Sequence, residues 1–237
     1  MTRYLKYHRV NSFLFFIIIL IYLGLTLIMT GCNGTSTQVP TPEDPRLVDQ
    51  SFVTGQPCQA PCWYGIEPGQ SNQTEALNKL NTLSFVDNTK IRISKNVRFF
   101  DYLDVTEIDF NCVFPNGKMC GFILSVNDIV KSIYIYIQYP LPLKSAIDKL
   151  GAPDYFLYNP YSPHGDGCMV SFHWPKKRIT LINVDYYSQQ ICQDIEDGKV
   201  FNPDILITEV QYESEEIASR DVCEKRRCMI WPGFLDK

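Results

Sequence analysis

What would mark an enzyme is missing from this chain. It has no GxSxG elbow, no phosphate-cradling GxxxxGK[ST] loop, no HExxH pair and no GxGxxG dinucleotide fingerprint. Histidine is scarce, with three in 237 residues, and His8 precedes a long apolar run, leaving only His164 and His173. Positive charge is short as well: 22 Lys and Arg stand against 26 Asp and Glu. Residues 1–31 hold three of the basic and none of the acidic residues, so the rest carries a net charge of −7. Nucleic-acid binding needs a clustered positive surface, and that balance excludes it. The two basic runs, Lys176-Lys177-Arg178 and Lys225-Arg226-Arg227, are too short to reverse it and read as a solvated turn and a solvated tail.

One long apolar run is present. Arg3, Lys6 and Arg9 precede Phe13 to Met29, the charged-then-apolar order of a secretory signal. Its length, about 26 Å as a helix, also suits a short membrane span. The residues that follow, Met29-Thr30-Gly31-Cys32, separate the two readings. They resemble the lipobox of bacterial lipoproteins, with Met29 where leucine is usual. In that family the cysteine thiol receives a diacylglyceryl group, cleavage falls just before it, and the new amino terminus takes a further acyl chain such as palmitate. The resemblance covers the N-terminal segment only. It implies a signal peptide over 1–31, lipidation at Cys32, and an extracytoplasmic protein held on the membrane by two or three acyl chains, each buried methylene adding about 0.8 kcal/mol.

Nine cysteines are an odd number, and setting Cys32 aside leaves eight, which can pair completely. An oxidising compartment favours disulfides. Proximity suggests Cys112 with Cys120 across a hairpin and Cys168 with Cys192, with local or mutual pairing among Cys58, Cys62, Cys223 and Cys228. In the loop-entropy account the first bridge contributes about 2.6 kcal/mol and the second about 3.5. Zinc competes for the same thiolates, but Cys58-x3-Cys62 and Cys223-x4-Cys228 lack CxxC spacing, so no metal or other cofactor is expected.

Residues 32–56, with NGTSTQVPTPEDP at their start, have no apolar period and read as the lipidated cysteine followed by an extended tether. A first α+β module is expected over 57–139. Gly65 and Pro68-Gly69 punctuate its start, and Asn72 with Glu75 has capping-box spacing, which predicts a helix with Ala76, Leu77, Leu80 and Leu83 on one face. Strands follow near Lys90–Ser94, over Val105–Phe114, over Met119–Val126 after a Pro115-Asn116-Gly117-Lys118 turn, and over Lys131–Gln138. The last of these alternates: Ile133, Ile135 and Ile137 face one way, Tyr134 and Tyr136 the other.

The order then recurs over 140–213. A helix over Leu143–Leu150 stops at Gly151, and its Ala146-Ile147-Asp148-Lys149-Leu150 matches Ala76-Leu77-Asn78-Lys79-Leu80 in character. Strands over Met169–Trp174, Arg178–Val184 and Ile205–Tyr212 follow, with an insertion from about Tyr186 to Asp204. The expected architecture is α+β: a tandem repeat of a short helix and a three- or four-stranded antiparallel meander, stapled by disulfides, with a C-terminal tail over 214–237. The GIEPGQS-to-ALNKL and AIDKLGAPDYF stretches are similar to the helix-then-meander modules of small outer-membrane-assembly lipoproteins and of β-lactamase inhibitory protein. That resemblance spans about residues 65–212 and carries no binding residue over. The PCQAPCWYGIEPG opening also resembles that of other bacterial lipoproteins.

Candidate chemistry is thin. His164 and Asp166 share a Ser-Pro-His-Gly-Asp-Gly loop that offers a metal or acid–base pair, or equally an Asx-type turn. His173, beside Trp174 in a strand, reads as structural. The stronger candidate is aromatic. With the isoleucines toward the helices, Tyr134 and Tyr136 lie on the open sheet face, joined by Phe172, Trp174 and Tyr212 if these face the same way, and Tyr and Trp are what protein-binding surfaces concentrate. The sequence therefore points to a non-catalytic protein-binding module anchored to membrane lipid through Cys32. An envelope structural or assembly lipoprotein without a dedicated ligand, and a hydrolase of unrecognised type using His164 and Asp166, are the alternatives.

Overall fold

Each helix exists because a sheet receives its apolar side. In the computed structural model, which describes residues 51–99, 102–113, 119–159, 168–183, 192, 193, 195, 202–219 and 228–234, helix α1 is Ser51–Thr54, α2 is Gln73–Leu80, α3 is Leu143–Leu150 and α4 is Glu215–Ala218. Helix α2 starts on the expected capping box: the Asn72 side chain accepts from the Glu75 amide at 2.8 Å, and the Glu75 carboxylate accepts from the Asn72 amide at 3.0 Å. Such a cap contributes about 1 kcal/mol. Helix α3 has no side-chain cap and stops at Gly151, whose φ of 80° suits glycine and whose N–H reaches the Ile147 carbonyl at 2.8 Å. Eight-residue helices are marginal alone. Ala76 and Leu80 of α2, and Leu143 and Ala146 of α3, are fully buried in one core against the sheet.

That sheet has nine strands, all paired antiparallel. They are β1 Arg92–Phe99, β2 Tyr102–Asn111, β3 Met119–Val126, β4 Ile129–Pro142, β5 Tyr155–Asn159, β6 Met169–Trp174, β7 Ile179–Asn183, β8 Leu206–Glu213 and β9 Cys228–Ile230. Their spatial order is β1-β2-β3-β4-β8-β7-β6-β5-β9, so β4 and β8 meet in the middle. At this seam Ile133 lies opposite Tyr212 and Ile135 opposite Val210, all fully buried. The α+β, mainly antiparallel architecture and the disulfide staples agree with the sequence reading. Strands β3 and β6 have the expected bounds.

Local chemistry explains the joints. Strands β3 and β4 are closed by Asn127-Asp128, both with positive φ (49° and 67°), the left-handed pair that matches strand twist in a two-residue hairpin. Gly121 sits where any Cβ would collide with the Tyr134 carbonyl oxygen, so only glycine lets β3 and β4 approach there. Arg178 ends the turn after β6 in the left-handed conformation, φ 54°, and its guanidinium donates to the Glu67 carboxylate at 2.8 Å. Of the basic run read as a solvated turn, Lys176 and Lys177 are exposed as expected, while Arg178 is half-buried and ties the turn to the loop before α2.

Residues 51–54, expected within the tether, form helix α1 instead. Ser51, Phe52 and Val53 are buried, and the Ser51 hydroxyl hydrogen-bonds the Tyr212 hydroxyl at 2.6 Å, so the folded part starts before Pro57. Strands β5 and β9 and helices α1 and α4 are further elements that the sequence reading left in loops or tails. No helix among the described residues is long and apolar enough to cross a membrane. Residues 1–31, Cys32, the Pro115–Lys118 turn, most of the insertion, and the His164–Asp166 loop lie outside the described residues.

Candidate functional site

Strand register assigns each side chain to one of two faces. One face holds the helices and the main core: Ile133, Ile135, Ile137, Val210 and Leu181 point into it. Phe172, Trp174 and Tyr212 point the same way. They are 0%, 2% and 0% exposed, the Trp174 indole N–H donates to the Gly151 carbonyl at 2.9 Å, and Tyr212 holds Ser51. These three are core side chains, so the expectation that they join Tyr134 and Tyr136 on the sheet surface is corrected. The alternation Val170, Phe172, Trp174 against Ser171 and His173 in β6 decides it, because apolar and polar residues separate onto opposite faces.

The second face carries a different chemistry. Tyr134 and Tyr136 lie on it, half-buried, and Phe122 of β3 is opposite Tyr134. The Phe122 and Tyr134 rings stack with centroids 4.4 Å apart and planes 15° off parallel, and Tyr136 adds a tilted contact with Phe122 at 6.2 Å. Offset aromatic pairs of this kind are worth about 1 kcal/mol beyond their buried area. Below them Val105, Leu124 and Val126 form a small second cluster.

Acidic residues flank the aromatics on both sides. In β2, Glu107 and Asp109 stand opposite Leu124 and Phe122. Burial first, and then the adjacent Asp109 carboxylate, push the Glu107 carboxyl up; one Asp109 oxygen is itself buried without a hydrogen bond. In β8, Glu209 lies opposite Tyr136, Gln211 opposite Tyr134 and Glu213 opposite Ser132. Burial alone raises the carboxyls of Glu209 and Glu213 to about 7 each. Beyond β8, His173 stacks on Tyr155 with centroids 4.7 Å apart, and its ring nitrogens meet the hydroxyls of Ser171 at 2.8 Å and Thr180 at 3.0 Å. Both ring nitrogens of His173 are therefore engaged by hydroxyls.

Sequence reasoning missed the acids. The signal was there in Ile205–Glu213, where Glu209, Gln211 and Glu213 recur at period two, but a polar strand face reads as ordinary solvation until its neighbours are known. The two expected bridges Cys112–Cys120 and Cys168–Cys192 are present, with Cα separations of 5.3 and 5.7 Å, and a third joins Cys58 to Cys62, 5.7 Å apart, where the sequence left the pairing open. Cys58 therefore pairs locally with Cys62. Cys228 is disulfide-bonded too, whereas Cys223 lies outside the described residues. No group of three or more metal-ligating side chains occurs among the described residues.

Fold and face together define a class: an antiparallel sheet with helices α1, α2 and α3 on one side and an aromatic, acidic band on the other. No family model, no curated protein and no solved structure matches the chain.

Proposed function

We propose that this protein is a non-catalytic, lipid-anchored extracytoplasmic module that binds a protein partner on the second face of its sheet. One observation carries the reading: Phe122, Tyr134 and Tyr136 form a partly exposed aromatic patch across adjacent strands, flanked by the carboxyls of β2 and β8. Rigid aromatic side chains give large contact area at small entropic cost, which is why they dominate the energetics of protein interfaces. The test is capture of partners from envelope extracts by the full-length protein and by a Tyr134→Ala/Tyr136→Ala variant. Loss of the captured partner, with all disulfides intact, is expected; undiminished capture sinks the reading.

The lipid anchor rests on Met29-Thr30-Gly31-Cys32 and on cysteine parity, since Cys58, Cys62, Cys112, Cys120, Cys168 and Cys192 pair among themselves and Cys228 is also bridged. Intact mass of membrane-extracted protein checks it: cleavage before Cys32, added acyl mass and no free thiol are expected together. Recovery of residues 1–31 on the mature chain overturns it.

The fold itself reads as two copies of one module, α2 with β1 to β4 and α3 with β5 to β8. The support is order: each half runs helix then four strands, and the fourth strands pair at the centre of the sheet.

A further inference from the structure

The two glutamates of β8 have no counterion of their own, whereas Asp109 of β2 has Arg92 opposite it on β1. Strands β3, β5, β6, β7 and β8 contain no lysine or arginine at all. The one cation in β4, Lys131, sits at the register shift between Val130 and Ser132, and its ammonium is taken by Glu216 at 2.6 Å. Glu209 and Glu213 make no side-chain hydrogen bond or ion pair with any described residue. Two further polar groups lie among them. Gln211, between the two glutamates on the same strand face and 6% exposed, has no side-chain hydrogen bond to a described residue. Ser132, fully buried and opposite Glu213 in register, has an unpartnered hydroxyl. Native proteins satisfy buried polar groups, so the orphaned Ser132 hydroxyl, beside a glutamate without an ion pair, marks a group whose partner comes from elsewhere.

We infer that the second face receives an arginine from the partner protein, its guanidinium lying on Tyr134 and Tyr136 and pairing with the Glu209 carboxylate. The inference rests on the protein-binding reading above and adds the chemistry of the partner. Arginine fits better than lysine because its planar fork stacks on aromatic rings and pairs with a carboxylate through two parallel hydrogen bonds, and because it gives up its hydration more readily. The register places the required groups together: Glu209 is the cross-strand neighbour of Tyr136, and Gln211, next along β8, is that of Tyr134 and supplies a carbonyl acceptor for the guanidinium's remaining donors.

The experiment uses cyclic peptides selected by display on the full-length, detergent-solubilised protein, each resynthesised with citrulline in place of its arginine. Citrulline keeps the shape and removes the charge, and the protein is left unchanged, so misfolding cannot imitate the result. Selected peptides are expected to carry arginine, to weaken at least tenfold with citrulline, and to weaken as much on Glu209→Gln. Combining the two changes is expected to cost little more than either alone, because both remove one interaction. Peptides that lose binding with Tyr134→Ala/Tyr136→Ala yet are indifferent to citrulline and to Glu209→Gln overturn the arginine inference and leave the binding face standing. Peptides indifferent to all these changes, or no selected peptide at all, overturn both.

Discussion

Glu209 and Glu213 make the folded chain sensitive to pH in an unusual direction. Each carboxyl titrates near 4.5 in the unfolded chain and at about 7 in the folded one, because burial disfavours the charged form. Between those values the folded state holds protons that the unfolded state has released. Stability is therefore greatest below pH 4.5 as far as these two groups are concerned, and it falls as pH rises through 7. The loss is on the order of 3 kcal/mol for each group. Glu209→Gln, which mimics the protonated carboxyl, is expected to leave stability unchanged at pH 4.5 and to raise it by up to about 3 kcal/mol at pH 8. Urea denaturation at the two pH values measures this; an equal effect at both would show that burial does not govern the carboxyl.

At the scale of elements, the two eight-residue helices invite a matched experiment. Ala76 and Ala146 occupy corresponding helix positions and are both fully buried against the sheet. Leucine at either site adds three carbons to a filled core, at a cost of about 1–3 kcal/mol. If the halves are copies of one module, Ala76→Leu and Ala146→Leu are expected to lower thermal stability by similar amounts, and a large loss at one with none at the other counts against the duplication. Helices and strands with a clean period were legible in the sequence: the Asn72–Glu75 cap, the Gly151 stop, and the alternation of β4. Strand β5 was not, because Phe156, Leu157 and Tyr158 are all buried and the period of two is lost. Strand β4 runs to Pro142 although Pro140 suggests a stop; the register is broken between Tyr136 and Leu141, where proline's missing N–H costs no ladder bond. Helix α1 is only four residues, too few to show any period. Of the aromatic candidates, Tyr134 and Tyr136 were placed correctly from their own strand. Phe172, Trp174 and Tyr212 needed the register of β6 and β8 to show which way they face.

For the whole molecule, the meeting of β4 and β8 at the centre has an outcome at the margins. With β4 and β8 paired in the middle, the sheet has β1 and β9 as its two outer strands among the described residues. An outer strand is a template for a neighbouring chain, a hazard that grows when many copies share one membrane surface. Here β1 is broken by two register shifts and exposes Arg92, Lys95 and Arg98, while β9 is three residues long and includes the disulfide-bonded Cys228. Lys95→Val/Arg98→Val is expected to leave the monomer folded but to raise light scattering on concentration, and a solution as clear as wild type would show that these charges are not protective. A sheet built this way ends on one side in a broken, positively charged strand and on the other in a strand too short to offer a long template.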